Sequence, residues 1–217
     1  HLLRKALHRA GYDYIPVISI NLSGLEKNPG FKIDLPFIRK AAYAMLYGDI
    51  IVHMANQCRP YEIVKGETDR RVAQWTEYLS QDFNHKGSFK TAHIRKNFNA
   101  IVDDFASIPL NRVPKVKVGI VGEIYVKFAP LGNNNLEEFL LSEDCEPVVP
   151  GLTDFIIFKC DNRIEDHRLY GGKFLTFLGA SLLKKYLCSL QKNMIAAVQR
   201  HPDFRVMPTF DHIKSLV

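Results

Sequence analysis

Residues 115–151 alternate short apolar runs with a segment of helical period, and this pattern narrows the folds open to the chain. The apolar run 116–121 ends at Gly122 and Glu123. A polar loop follows, then an amphipathic segment from Asn134 to about Asp144, then Val148 and Val149 closed by Pro150 and Gly151. Apolar run, glycine turn, helical period and second apolar run predict a βαβ unit. In open α/β sheets ligands sit beyond the carboxyl ends of the strands, a position held here by Gly122, Glu123, Ile124, Tyr125 and Lys127. Gly122 either permits a tight turn or lets the backbone approach a ligand, with Glu123 and Lys127 supplying charge beside it. Gly119 and Gly122 do not form a dinucleotide fingerprint, which needs G-x-G-x-x-G opening a helix. Asn133, Asn134 and Asn135 can cap the next helix, whose N-terminal N–H groups suit an anion. Capping accounts for one asparagine, not for three.

Upstream, Leu2, Leu3, Leu7 and Ala10 recur at helical spacing until Gly11, a natural helix stop. Residues 14–22 (YIPVISINL) read as a buried strand, and 23–32, with Gly24, Pro29 and Gly30, as a loop. Asp34 is a good N-cap with Pro36 in the first turn, so a helix is predicted to about Leu46. Gly48 interrupts it, and the helical pattern resumes to about Tyr61. Further helices are predicted over 68–82 and 88–106. Four helices between two strands exceed a normal crossover, which predicts a helical subdomain beside the sheet or inserted into it. Downstream, 153–160 is either a strand or a short buried helix, 161–172 a loop, and 174–200 a long amphipathic helix, with a last short helix near Thr209. The expected organisation is therefore α/β in three parts: residues 1–33, a helical subdomain over 34–113, and the βαβ unit with the C-terminal helices over 114–217.

With 47% hydrophobic residues the chain can bury a real core. No apolar run approaches the roughly 18 residues of a transmembrane helix, and no signal peptide is evident. His1 already lies in a helical pattern, so a piece of a longer polypeptide is expected. The net charge of +6 is scattered, with no run of five basic residues, so neither nucleic acid nor membrane is an expected partner. Cys58, Cys145, Cys160 and Cys188 form no CxxC pair and no Cys–His zinc spacing. Free thiols in a reducing cytoplasm are the expectation, with Cys58 by itself a small buried hydrophobe. The strings RPYE (59–62) and GETD (66–69) put Arg59, Glu62, Glu67 and Asp69 beside a predicted helix break. Thr68 or Asp69 could cap a helix there, and a network of Arg59, Glu62 and Asp69 could hold two helices. No nucleophile elbow and no Walker-type phosphate loop is present.

Taken together, RPYE, GETD, VGIVGEIYVKF (118–128), Asn133-Asn134 and VPGL (149–152) resemble the carboxyl-terminal region of large acyl-CoA dehydratase activase-related proteins. These are relatives of the (R)-2-hydroxyglutaryl-CoA dehydratase and benzoyl-CoA reductase subunits. The likeness runs from Leu2 to about Phe210, and GEIYVKF is its most specific part. It implies a Rossmann-like open, mainly parallel sheet with a helical insertion and a long C-terminal helix. It also implies a place in iron–sulfur-dependent, low-potential electron transfer to an acyl-CoA, driven by an ATP-hydrolysing activator. An acyl-CoA-type ligand and activator ATPase modules are the implied partners. Gly122, Glu123, Tyr125 and Lys127 would line the cleft, with Asn133 and Asn134 at the helix mouth. A [4Fe-4S]-type cluster is implied for the full-length protein, with Cys58 and Cys160 the possible ligands within this chain. ATP hydrolysis by this chain alone is not expected. The rival readings are a scaffold or interaction module that docks the activator ATPase, and a nucleotide-binding Rossmann domain of unrelated function.

Overall fold

The computed structural model describes residues 2–17, 34–85 and 87–216. The chain divides into two compact units, His1–Ile38 and Arg39–Val217. In the first, α1 (Leu2–Arg9) ends in a turn with Gly11 at φ +78°, the left-handed geometry for which glycine is favoured. The Asp34 carboxylate accepts from the Phe37 N–H at 2.8 Å, opening the next helix as its sequence predicts. Most of the predicted strand over 14–22, and the loop after it, lie outside the described residues.

The second unit is built on helices. The helix α2 (Leu35–Cys58) runs unbroken through Gly48, and its buried residues from Ala42 to Cys58 form the centre of the main core. A 3-10 turn (Arg59–Tyr61) follows, then α3 (Glu67–Asp82) and α4 (Thr91–Ala106). Leu79 of α3 and the Ile94, Phe98, Ile101, Val102 and Phe105 stripe of α4 close over α2. That stripe repeats at three- and four-residue intervals, the spacing that keeps one helix face apolar.

Strand β1 (Lys117–Gly119) pairs in parallel with β2 (Glu146–Val148), Lys117 opposite Glu146 and Gly119 opposite Val148. Between them run α5 (Ile124–Phe128), α6 (Pro130–Asn133) and α7 (Leu136–Ser142). The local β-helix-β order predicted for 115–151 is present, with a small core of Ile120, Leu140 and Val149. It is not the kernel of a larger sheet. Among the described residues the sheet has two strands of three residues each, and both Lys117 and Gly119 are exposed. A central strand of a doubly covered sheet is buried on both faces. The expected Rossmann-like, mainly parallel α/β fold is therefore wrong. The chain is predominantly helical because its helices pack on one another rather than on a sheet.

The remaining helices complete the same core. The segment read as strand or short helix, and the loop expected over 161–172, are together α8 (Leu152–Tyr170), which stops at Gly171 with φ +73°. It packs along α9 (Phe174–Gln199), the predicted long helix, and α10 (Phe210–Lys214) follows. Ile157 of α8, Leu187, Met194 and Val198 of α9, and Phe204 and Met207 beyond it join the α2 core. Helices before and after residue 114 thus share one interior. Among the described residues, no helix is long and apolar enough to cross a membrane.

Candidate functional site

The GEIYVKF run begins a helix. Gly122 at φ +134° turns the chain out of β1, and Glu123 then caps α5, its carboxylate accepting from the Tyr125 N–H at 2.7 Å. The helical turn sends the side chains in different directions. Glu123 and Tyr125 are exposed, Tyr125 lying over Gly132, where a Cβ would come within 2.7 Å of its ring. Lys127 points inward and is buried. Asn133 is a clip: its Nδ2 donates to the Val126 carbonyl at 2.9 Å and its Oδ1 accepts from the Leu136 N–H at 3.2 Å. Asn134 and Asn135 each adopt φ +55°, the left-handed conformation that asparagine tolerates better than other non-glycine residues. Clipping and left-handed turns together account for all three asparagines.

Inside, two carboxylates that the sequence reading did not single out, Asp49 and Asp154, lie near enough to act electrostatically on Lys127 without forming an ion pair with it. Asp49 of α2 accepts from the Leu152 and Thr153 N–H groups at 2.7 and 2.9 Å, and so caps α8 across the fold. Gly151 makes room for it, since a Cβ there would stand 2.7 Å from Asp49 Oδ2. Burial raises the Asp49 carboxyl above the usual carboxylate range. Asp154, one turn into α8, accepts from Gln191 Nε2 at 2.7 Å and is pushed up to about 6, chiefly by burial. Burial also lowers the Lys127 ammonium below the ordinary lysine range, against the opposing pull of Asp154 and Asp49. The two carboxylates favour the ammonium, but the cost of its desolvation outweighs them.

The RPYE and GETD strings form one corner. Glu62 accepts from the Gly66 and Thr68 N–H groups at 2.6 and 2.9 Å and so secures the start of α3. Arg59 Nε donates to Asp69 at 2.7 Å and its Nη1 to Asn56 at 3.1 Å. Glu67 pairs with Arg70 and Arg71, and Arg71 also with Asp104. Arg59 and Asp69 then line a recess of about 300 Å³ with Pro130, Asn133, Asn135, Glu137, Glu138 and Leu141. The structure thus brings Arg59, Asp69 and Asn133 together, while Glu123, Tyr125 and Lys127 do not line this recess.

Tyr61, on the same turn as Arg59, donates its hydroxyl to Glu146 Oε2 at 2.7 Å. Arg205 Nη2 lies 2.8 Å from the other oxygen of this buried carboxylate. Sequence reading missed Asp49, Asp154 and Glu146, since none of them belongs to a recognisable motif. Reading Gly48 as a helix interruption hid the mid-helix, buried position of Asp49.

The four cysteines lie on separate segments of the fold. Cluster binding takes three or four thiolates around one space. Cys58 is fully buried in the main core, its thiol pushed up to about 12 by burial and facing the Phe105 carbonyl. Cys160 and Cys188 sit near each other on α8 and α9, both raised by burial, and Cys145 packs against the small core beside the sheet. Among the described residues no group of three or more His, Cys, Asp or Glu is placed to hold a metal ion. Comparison with known proteins identifies no relative: no family model, no curated protein and no solved structure matches the chain.

Proposed function

We propose that this chain is a domain of a 2-hydroxyacyl-CoA dehydratase- or reductase-like iron–sulfur system, serving ATP-driven, low-potential electron transfer to an acyl-CoA. One observation carries the reading. Segments on which the resemblance rests, far apart in the chain, meet in space: Arg59 of RPYE and Asp69 of GETD share a recess with Asn133. In this reading the recess takes the acyl-pantetheine arm, whose amides suit a lining of asparagines, carboxylates and one guanidinium. In this reading a cluster belongs to the full-length protein.

A second reading, a non-catalytic module that docks the activator ATPase, is favoured by the charge of the same recess. Asp69, Glu137 and Glu138 face a single opposing cation, Arg59, a distribution that suits a basic partner surface. Calorimetric titration of a 2-hydroxyacyl-CoA into the wild type and Asn135→Gly decides between them. Glycine keeps the left-handed backbone at 135 and removes the side chain that lines the recess. Binding weakened by the substitution supports the first reading. Absence of acyl-CoA binding, with an activator ATPase retained by the wild type and lost on Glu137→Lys with Glu138→Lys, supports the second. Failure of both assays removes both.

A further inference from the structure

A different recess, at the amino ends of the two strands, gathers four basic side chains. It encloses about 390 Å³ and is lined by Arg112, Lys115, Lys117 and Arg205, with Tyr61 and Glu146 as buried lining. The cations are held by distinct means. The Arg112 guanidinium carbon stands 5.4 Å from the Tyr61 ring centre and 4.9 Å from that of Phe204, while Nη1 donates to the Gln57 carbonyl at 3.3 Å. Lys115 lies 5.7 Å from the Tyr61 ring centre and pairs with Asp144. Arg205 contacts Glu146, and its backbone N–H donates to Gln57 Oε1 at 2.8 Å. Lys117 is exposed at the start of β1.

The opposing charge is partly engaged. Of the two carboxylates in the lining, Glu146 is engaged by Tyr61 and Arg205, and Asp203 is exposed at the rim. Among the described residues, neither Arg112 nor Lys117 has a carboxylate within ion-pair distance. An arginine fixed between two aromatic rings presents its donors in a set orientation, which suits a phosphate oxygen pair. Stacking alone explains where Arg112 sits. It does not explain why Lys117, with no carboxylate partner among the described residues, stands beside it against the repulsion of its basic neighbours.

We propose that this recess is an anion site that binds phosphate groups, as a phosphomonoester or pyrophosphate, through Arg112 and Lys117 with Arg205 and Lys115 behind them. Free polyphosphate and the phosphate end of coenzyme A share this chemistry. The site uses residues other than those of the Arg59 recess. Loss of acyl-CoA binding on Asn135→Gly and loss of pyrophosphate binding on Lys117→Glu therefore report on separate proposals.

The test is calorimetry at low ionic strength with inorganic pyrophosphate, coenzyme A and citrate. The proteins are the wild type, Arg112→Gln, Lys117→Glu and the control Lys96→Glu. Lys96 belongs to another basic surface, beside Arg95 and Arg200, so its reversal changes net charge equally at a different place. Removing a charge-assisted phosphate contact should weaken pyrophosphate binding at least about tenfold in Lys117→Glu, against less than about twofold in Lys96→Glu. Should Arg112→Gln fail to fold, the exposed Lys117 variant still decides. Coenzyme A binding more tightly than pyrophosphate identifies a nucleotide carrier as the source; equal or weaker binding identifies a free polyphosphate. Absence of pyrophosphate binding by the wild type, equal losses in Lys117→Glu and Lys96→Glu, or citrate binding as tightly as pyrophosphate would overturn the proposal.

Discussion

The contact between Gly151 and Asp49 permits a quantitative test of how α2, α5 and α8 are joined. A methyl group at 151 would stand 2.7 Å from Asp49 Oδ2 and 2.9 Å from its Cγ, while the backbone at 151 (φ −62°, ψ 153°) suits any residue. The cost of Gly151→Ala is therefore confined to the carboxylate it displaces. Asp49 is buried and cannot retreat without releasing the Leu152 and Thr153 N–H groups. A lost helix cap costs about 1–2 kcal/mol, and each buried donor left without a partner adds about 1–3 kcal/mol. We expect about 2–3 kcal/mol for Gly151→Ala and about 3–4 kcal/mol for Asp49→Ala, which also strips Lys127 of a counter-charge. The double variant should cost no more than Asp49→Ala alone, because no carboxylate then remains to collide with. It should even recover about 0.4–1 kcal/mol from the stiffer unfolded chain. The implied coupling of about 2 kcal/mol or more lies well outside the additivity of independent sites. Urea unfolding followed by circular dichroism and by the fluorescence of Trp75, whose indole donates to Asp104 at 2.8 Å, measures all four corners of the cycle. Additive losses, or a Gly151→Ala cost below about 0.5 kcal/mol, would refute the reasoning.

Two further predictions concern protons. Asp154 has a folded pKa near 6 against an ordinary value of 3.8, so the folded chain holds this proton more tightly than the unfolded one. Its contribution to stability is therefore present below pH 4 and lost as pH rises towards 6. Asp154→Asn, which can still accept from Gln191, should remove that slope and gain about 1–3 kcal/mol at pH 7 relative to pH 4. Urea midpoints for both proteins between pH 4 and pH 7 check this, and a difference independent of pH would sink it. For Cys58, a thiol raised to about 12 and shut in the core should react with iodoacetamide at least about 100-fold more slowly in the folded than in the urea-unfolded protein. Mass spectrometry of the labelled peptide reads the ratio, and equal rates would show that the thiol is accessible.

The helices were largely legible because their apolar residues repeat at helical spacing, as in α4, or because their caps are local, as at Asp34 with Pro36. The error over 161–172 has a physical source. Its charges looked like a loop, yet Asp161 receives Lys184 at 2.9 Å and Lys214 at 2.8 Å from α9 and α10. These ion pairs hold a helix whose own sequence shows little periodicity. GEIYVKF was misread for a related reason. Beyond β1 the run reads as a polar loop, and the Glu123 cap and the inward Lys127 belong instead to a helical turn. Of the candidate residues, Arg59, Asp69 and Asn133 share a recess, and Glu62 and Glu67 serve the start of α3. The acids that act electrostatically on Lys127 come from α2 and α8, and no local pattern links them. The α/β expectation failed because two short parallel strands carry the same local signal as the opening of a large sheet.

Glu146 ties together the Arg59–Tyr61 turn, the first residue of β2 and the segment after α9, through Tyr61 and Arg205. That segment is thus no loose tail: withdrawing it would strand a dry negative charge beside the sheet with only a phenol to answer it. A strand of three residues has little to hold it in place by itself. Turn, strand pair and trailing segment should consequently open and close as one, so protection of the β1–β2 amides against exchange would report on a residue nearly sixty positions away.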